Sequence, residues 1–342
     1  MTSAPAGGSQ PNPMLFFETV RGFHNAYALK AAVELDLFTA VAKTSGTVAD
    51  IAKMCAASQR GTRILCDYLT VLGFLAKRDQ RYALTQDSAA FLDSRSPAYM
   101  GKAIEFLMHP DQFDHFEKLT DTVRSGKPAG SDHLAPEDPI WMEFARGMAP
   151  LMFPAAQAIA QQLQKALSGV AAPKVLDVAA SHGVFGITIA RQNPKAQIYA
   201  LDWANVLQVA RENAGRAGIT DRHHLIAGSV FDVDIGKGYD AVLVTNFLHH
   251  FDPATNESLL KKLLAAMNPG GQLVILEFVP NEDRVSPAPA AMFSMTMLAN
   301  TDYGDAYTFA ELARMCTNAG FSHAGLVPLE AGPNALVVAT KP

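Results

Sequence analysis

Two stretches of the chain concentrate residue types that do chemistry. The first is Val175-Leu-Asp-Val-Ala-Ala-Ser-His-Gly183, an apolar run that breaks into small residues and a glycine, with Asp177 inside it. Nineteen residues beyond Gly183, Asp202 closes the next apolar run, and Trp203 follows it. Such a strand, small-residue turn and acid-ended second strand is the logic of a mononucleotide half-fold. The small residues admit a ligand to the backbone, and the acid accepts hydrogen bonds from two ribose hydroxyls. A dinucleotide needs G-x-G-x-x-G/A so that its pyrophosphate can rest on a helix N-terminus. Here Ala179 and Ser181 stand at the glycine positions, and the Asp177 carboxylate would repel a pyrophosphate. Beside an ammonium or sulfonium the same charge is favourable, which favours S-adenosylmethionine over NAD.

The second stretch is Thr245-Asn-Phe-Leu-His-His-Phe-Asp252, followed by Ile275-Leu-Glu-Phe278. A phenol with a pKa of about 10 is a weak nucleophile at pH 7. A base within reach raises its rate by typically 10²–10⁴-fold. His249 ends the fourth predicted strand, where ligands of open α/β sheets bind. Glu277, on the neighbouring strand, could bind one imidazole nitrogen and fix the tautomer. His250 reads as a hydrogen-bonded loop residue. A His249–His250–Asp252 metal site is not expected, because adjacent strand residues point to opposite faces. His182 lines the first loop, and His223 and His224 read as surface residues.

Positioning these groups requires a frame. From Lys174 onward, predicted strands at 175–178, 197–202, 223–227, 240–245 and 272–277 alternate with helices at 186–193, 205–217 and 254–267. A helix at 308–320, capped by Thr308 and stopped by Gly320, precedes strands at 324–328 and 335–339. The pattern predicts a Rossmann-like, doubly wound, mostly parallel sheet with an antiparallel pair at one edge. Before it, 14–37, 47–56 and 60–75 read as helices, with Thr47 and Ser58 as caps. A short hairpin at 75–85 follows, and the outline is a winged helix. Residues 110–164 read as helix interrupted by Gly and Pro, with a Met/Phe stripe that includes Met148, Met152 and Phe153. By position alone this stripe is core. The functional alternative is a pocket wall, since methionine adapts to irregular ligands. The 288–302 segment, with Met292, Phe293, Met295, Met297 and Asn300, carries the same two readings.

With 342 residues, 49% of them apolar, and a net charge of −5, the chain has enough apolar sequence for sizeable cores. Disorder is excluded, and nucleic-acid binding by charge alone is unfavourable. Residues 1–105 hold 11 Lys/Arg and 9 Asp/Glu, and the third helix shows only Arg60 and Arg63 on a mostly apolar sequence. A ligand-responsive DNA-binding regulator is therefore the weakest of the alternatives, because a recognition helix needs cations and polar base readers. Cys55, Cys66 and Cys316 form no zinc or disulfide pattern, which suits a reducing cytoplasm. No run approaches the roughly 20 apolar residues of a membrane helix. Residues 1–13 read as a disordered tail.

VLDVAASHG resembles the first motif of class I S-adenosylmethionine-dependent methyltransferases. The stretch 245–252, then Met267-Asn-Pro-Gly-Gly271, 275–278 and Gly304-Asp-Ala-Tyr-Thr308, resemble later motifs of the small-molecule O-methyltransferases of caffeate, acetylserotonin and bacterial natural-product type. The resemblance runs from about residue 14 to 342. It implies a winged-helix dimerisation domain at 14–105, a helical linker at 106–165 contributing to the acceptor pocket, and a cofactor domain at 166–342. It further implies that Asp177, Ala179, Ser181 and Gly183 hold the methionine part of S-adenosylmethionine, converted to S-adenosylhomocysteine, with no metal. Asp202 would take the ribose, with Trp203, Gly228, Ser229, Val230 and Phe231 along the adenine and Asn246 touching the cofactor. Ser229 replaces the family's usual Asp, a contact Asp232 could supply. His249 matches the catalytic base and Glu277 its orienting acid, while Ala306 stands where a second acid is common. Met148, Met152, Phe153, Met292, Phe293 and Asn300 would face a planar, aromatic hydroxyl acceptor, and the protein would be a homodimer. Loss of the second acid keeps methylation of carbon or nitrogen as the alternative.

Overall fold

The computed structural model describes residues 11–128, 137–330 and 332–342. It divides into two compact units, one ending at Ile104 and the other running from Glu105 to Pro342. Most of the expected tail lies outside the described residues.

The first unit contains α1 (Met14–Val20), α2 (Gly22–Glu34), α3 (Leu37–Lys43), α4 (Val48–Met54), α5 (Gln59–Val71), the hairpin β1 (Leu75–Arg78) and β2 (Arg81–Leu84), and α6 (Gln86–Phe91). The long helix expected over 14–37 is divided at Arg21 and ends at Leu35, where Asp36 turns left-handed at φ 48°. The next helix, α3, has Leu37, Phe38, Thr39, Ala40 and Val41 all buried. With no polar face it shows no amphipathic period. Thr47 and Ser58 cap α4 and α5 as expected, accepting from the Asp50 and Gly61 amides. The hairpin turns at Asp79 and Gln80, both at positive φ as a two-residue type I′ turn requires. Asp67 of α5 fastens the hairpin, accepting from Lys77 at 2.6 Å and Tyr82 at 2.7 Å.

The division falls within α7 (Ala103–Leu107), and the second unit continues with α8 (Pro110–Glu117), α9 (Leu119–Ser125) and the 29-residue α10 (Ile140–Ser168). Pro150 and Pro154 lie inside α10 without ending it. Buried Ala155, Ala156, Ile159, Ala160, Leu163 and Leu167 belong to the core on one sheet face, and this packing overrides the proline penalty. The expected boundary at 165/166 therefore falls within a continuous helix. The sheet comprises β3 (Lys174–Val178), β4 (Gln197–Asp202), β5 (His223–Ala227), β6 (Tyr239–Thr245), β7 (Met267–Phe278), β8 (Ser322–Pro328) and β9 (Asn334–Thr340), in the order β5-β4-β3-β6-β7-β9-β8. The first five in that order are parallel, and β9 runs antiparallel to both β7 and β8. The reversed strand thus lies one place inside the edge. Helices α11 (Val184–Gln192), α12 (Leu207–Arg216), α13 (Pro253–Ala266), α14 (Ala288–Asn300) and α15 (Phe309–Ala319) complete the unit. Two apolar cores, one around Leu176, Val242 and Leu273 and one around Val175, Leu243 and Val274, lie on opposite faces of the sheet. This double burial is why these strands read as unbroken apolar runs. Strand order reverses between β3 and β6, placing the β3 and β6 loops at the switch point where such sheets bind ligands.

Candidate functional site

The loop after β3 is built from left-handed backbone. Ala179, Ser181 and Gly183 have φ of 52°, 51° and 72°. Gly186 is required by packing, since a Cβ there would sit 2.4 Å from Ile198 Cγ2. Its amide donates to Asp177 Oδ2 at 3.1 Å. Asp177 is 0% exposed, and its Oδ1 has no hydrogen-bond partner among the described residues. Burial pushes its carboxyl up to about 7. Asp202 accepts from the Ser181 amide at 2.8 Å and the Trp203 amide at 2.7 Å, and burial lifts it to about 6. Each Asp202 oxygen keeps a lone pair for a further donor. Ser181 Oγ is also buried without a partner. An unpartnered Asp177 oxygen and spare lone pairs on Asp202 at a switch point suit a cation bearing hydroxyls, and no Lys or Arg pairs with either acid among the described residues. They do not suit a diphosphate, so the donor set fits a sulfonium nucleoside.

Around this loop the structure distributes the other expected residues unevenly. Gly228 stands at φ 129° and donates to the Asp202 carbonyl at 2.9 Å. Ser229 Oγ accepts from the Phe231 amide, so it serves its own turn. Val230 is 2% exposed within a core, which leaves only its backbone for a ligand. Phe231 is 38% exposed and packs with Phe251 and Phe247 at ring separations of 5.1 and 6.5 Å. Trp203 packs with Ala145, Val206 and Val209. Asn246, left-handed at φ 50°, accepts from Asn334 and donates to Met152 Sδ at 3.5 Å. His182 Nδ1 accepts from the Val184 amide at the start of α11, and burial lowers its pKa to about 4, so it acts as a neutral cap.

Between the short turn Leu248–His250 that follows β6 and the end of β7, the expected pair meets. With Glu277 a carboxylate, His249 Nδ1–H donates to Oε2 at 2.6 Å. Glu277 Oε1 accepts from the Phe247 and His249 amides at 2.9 and 3.3 Å. Both residues are buried. In the neutral ring with its proton on Nδ1, Nε2 is the nitrogen left as an acceptor. Phe293 stands edge-on to the His249 ring at 4.9 Å and stacks on Phe278 at 3.8 Å. His250, 4.4 Å from the His249 ring, is held well below the ordinary histidine pKa by burial and by His249. No group of metal-ligating side chains forms among the described residues.

Burial and bonding distinguish the remaining expected residues. Met292 is 72% exposed, whereas its neighbour Phe293 turns inward. Phe153 is 48% exposed, and Met148 is half-buried on α10. Asn300 accepts from His115 Nδ1 at 2.6 Å and donates to the Thr296 carbonyl, so its amide is already engaged. His223 is buried in β5, not on the surface, and His224 is half-buried against Tyr199. Ala306 is fully buried, and the adjacent Asp305 pairs with Arg284 at 3.0 Å. Sequence reasoning passed over His115, because a lone histidine in a helical stretch carries no motif. Gly304, the first residue of the 304–308 motif, has a packing role that residue type alone does not show, since a Cβ there would lie 2.1 Å from the His249 carbonyl oxygen.

Comparison with known proteins gives a consistent result. A family profile for the O-methyltransferase domain matches residues 131–322, and one for the O-methyltransferase dimerisation domain matches residues 17–94. The 3-hydroxy-5-methyl-1-naphthoate 3-O-methyltransferase of Streptomyces sahachiroi is 29% identical over 350 residues, covering 100% of each chain. A Nostoc punctiforme crystal structure described as an O-methyltransferase is 48% identical, with TM-score 0.92, over 97% of this chain and 100% of that one. PigF, known from Serratia and solved with S-adenosylhomocysteine, is 25% identical with TM-score 0.83, over 97% of this chain and 100% of that one.

Proposed function

The chain belongs to the O-methyltransferase family, and on that premise we propose that it moves a methyl group from S-adenosylmethionine to a hydroxyl of a small aromatic acceptor. The observation that carries this reading is the buried His249–Glu277 contact at 2.6 Å, beside a loop whose acids lack a cation. When bound, the cofactor supplies a sulfonium methyl for in-line displacement. Asp177, Ala179, Ser181 and Gly183 would hold its methionine part, Asp202 its ribose, and Trp203, Gly228, Ser229, Val230 and Phe231 its adenine, with Asn246 alongside. His249 Nε2 takes the acceptor's proton, and Glu277 supports the resulting imidazolium. Phe293, set edge-on to His249, supplies an apolar wall that favours a planar ring, and Met148, Met152 and Phe153 of α10 extend it. A dry site holding acceptor and methyl near 3–3.5 Å is what such a displacement needs.

The test uses S-adenosylmethionine carrying a trideuterated methyl group, with 3-hydroxy-5-methyl-1-naphthoate and simple phenols as acceptors. The expected product carries the label on oxygen, read by mass spectrometry and NMR. Label on carbon or nitrogen would favour the second reading, which rests on Ala306 standing where a second acid is common. No transfer would refute both. Biosynthetic relatives support a place in natural-product chemistry. Three cysteines outside any disulfide support a reducing, cytoplasmic setting. No helix among the described residues is long and apolar enough to cross a membrane.

The dimerisation-domain match supports a homodimer. On α1 and α2, Leu15, Phe16, Val20 and Phe23 are 75%, 65%, 52% and 55% exposed, a face that a second copy would cover. Phe16→Asp is expected to shift the protein to monomer in analytical ultracentrifugation. A variant that stays dimeric would place the interface elsewhere.

A further inference from the structure

We propose that Asn256, a residue within α13 that belongs to none of the motifs, is a positioning residue for the His249 base. The inference rests on the reading of His249 given above.

Asn256 lies on the same helical stripe as Leu259, Leu260 and Leu263, and all four are buried. A fourth apolar residue would fit that stripe, yet a primary amide occupies it. Its Nδ2 donates to the Leu248 carbonyl at 2.9 Å and to the Phe251 carbonyl at 3.2 Å. These two carbonyls bracket the short turn that presents His249 and His250. The amide orientation is fixed by chemistry, since both partners are acceptors and only the nitrogen can donate. Its own Oδ1 is buried without a hydrogen-bond partner among the described residues. A buried, half-satisfied amide is a net burden on stability. Its benefit is therefore sought in the turn it ties.

The same turn is held from three other directions. Glu277 Oε1 binds the amides of Phe247 and His249. Tyr307 Oη donates to the Phe251 carbonyl at 2.5 Å. Gly304 lies so close to the His249 carbonyl oxygen that any side chain at 304 would displace it. Amides on one side and carbonyls on the other leave the turn little freedom. Asn256 Nδ2 shares the Leu248 carbonyl, immediately before the base, with the Phe251 amide, and makes the shorter of the two bonds, 2.9 against 3.2 Å. Without it the turn can rotate about the Glu277 anchor, and His249 can meet its carboxylate in more than one geometry. A misplacement of about 1 Å at a reacting group can lower the rate on the order of 10²-fold.

The test is a double-mutant cycle built on Asn256→Ala and His249→Ala, assayed as the full chain with 3-hydroxy-5-methyl-1-naphthoate. Asn256→Ala is expected to lower kcat roughly 10- to 100-fold. The acceptor KM should change less than about threefold, and calorimetric binding of S-adenosylmethionine less than about twofold, since the substitution acts through His249. In the His249→Ala background the same substitution should have almost no further effect. An equal loss in both backgrounds, or no loss in either, would overturn the proposal. Full activity of His249→Ala alone would instead refute the base reading on which the proposal depends. Nitrogen-15 NMR of the His249 ring needs no acceptor. The wild type should give two well-separated ring signals from one tautomer, and Asn256→Ala should draw them together. Unchanged ring signals would overturn the proposal. Should Asn256→Ala not fold, Asn256→Leu, which continues the leucine stripe and donates nothing, goes through the same cycle.

Discussion

Asp177→Asn is expected to stabilise the ligand-free protein and weaken its hold on S-adenosylmethionine. The Asp177 carboxyl is fully buried and is raised from 3.8 to about 7 by that burial. For an acid whose folded pKa is raised, the folded state binds the proton more tightly than the unfolded chain does. The penalty is absent below pH 4, grows through pH 4–7, and is complete above about 7. Its ceiling is roughly 4 kcal/mol. Asparagine keeps the shape and the acceptor for the Gly186 amide while removing the ionisation. The melting temperature of the ligand-free variant at pH 8 should therefore rise by several degrees, at roughly 2–4 °C per kcal/mol. The gain over wild type should shrink towards pH 5. Cofactor binding should move the other way. A charge-assisted contact is worth roughly 1.5–3 kcal/mol, so titration calorimetry should find binding about 10- to 100-fold weaker. In the wild type, affinity should tighten as pH rises from 5 to 7 and the carboxyl becomes available as a charge. Unchanged affinity together with unchanged melting would contradict this role for Asp177.

Glu277→Gln is expected to keep the fold and lower turnover by roughly 10²–10⁴-fold. Glu277 uses Oε1 for two backbone amides and Oε2 for the imidazole. A glutamine can keep one oxygen on the amides, but then it sets an NH₂ donor against Nδ1. The imidazole must answer with Nδ1 as an acceptor and carry its proton on Nε2. That is the nitrogen meant to receive the acceptor's proton. Kinetics with the labelled-methyl assay, alongside a melting curve, separate this effect from unfolding. Turnover within a few-fold of wild type would remove Glu277 from the orienting role.

Much of this was legible because local chemistry and global fold agree. The strand cores, the caps at Thr47, Ser58 and Thr308, and the left-handed stop at Gly320 all follow from residue type. The β3 and β6 loops could be placed because a parallel sheet fixes which strand ends face a ligand. What stayed hidden depends on contacts far apart in sequence. The His115–Asn300 bond joins residues 185 positions apart. Asn256 matters only because α13 folds back under the turn that precedes it. Residues 37–41 of α3 are all buried and so show no amphipathic period, and His223 is buried although it opens a strand. Met292 and Phe293 are adjacent and similar in character, and only packing decides that Phe293 turns to His249 while Met292 faces out.

The base role of His249 is tested most directly by comparing wild type with His249→Ala along a series of phenols of falling pKa. A phenol that is already ionised at the assay pH has no proton to give. The expected rate ratio is roughly 10²–10⁴ for ordinary phenols, falling towards one for nitrophenols acidic enough to bind as phenolates. A ratio that stays the same across the series would show that His249 only holds the acceptor in place.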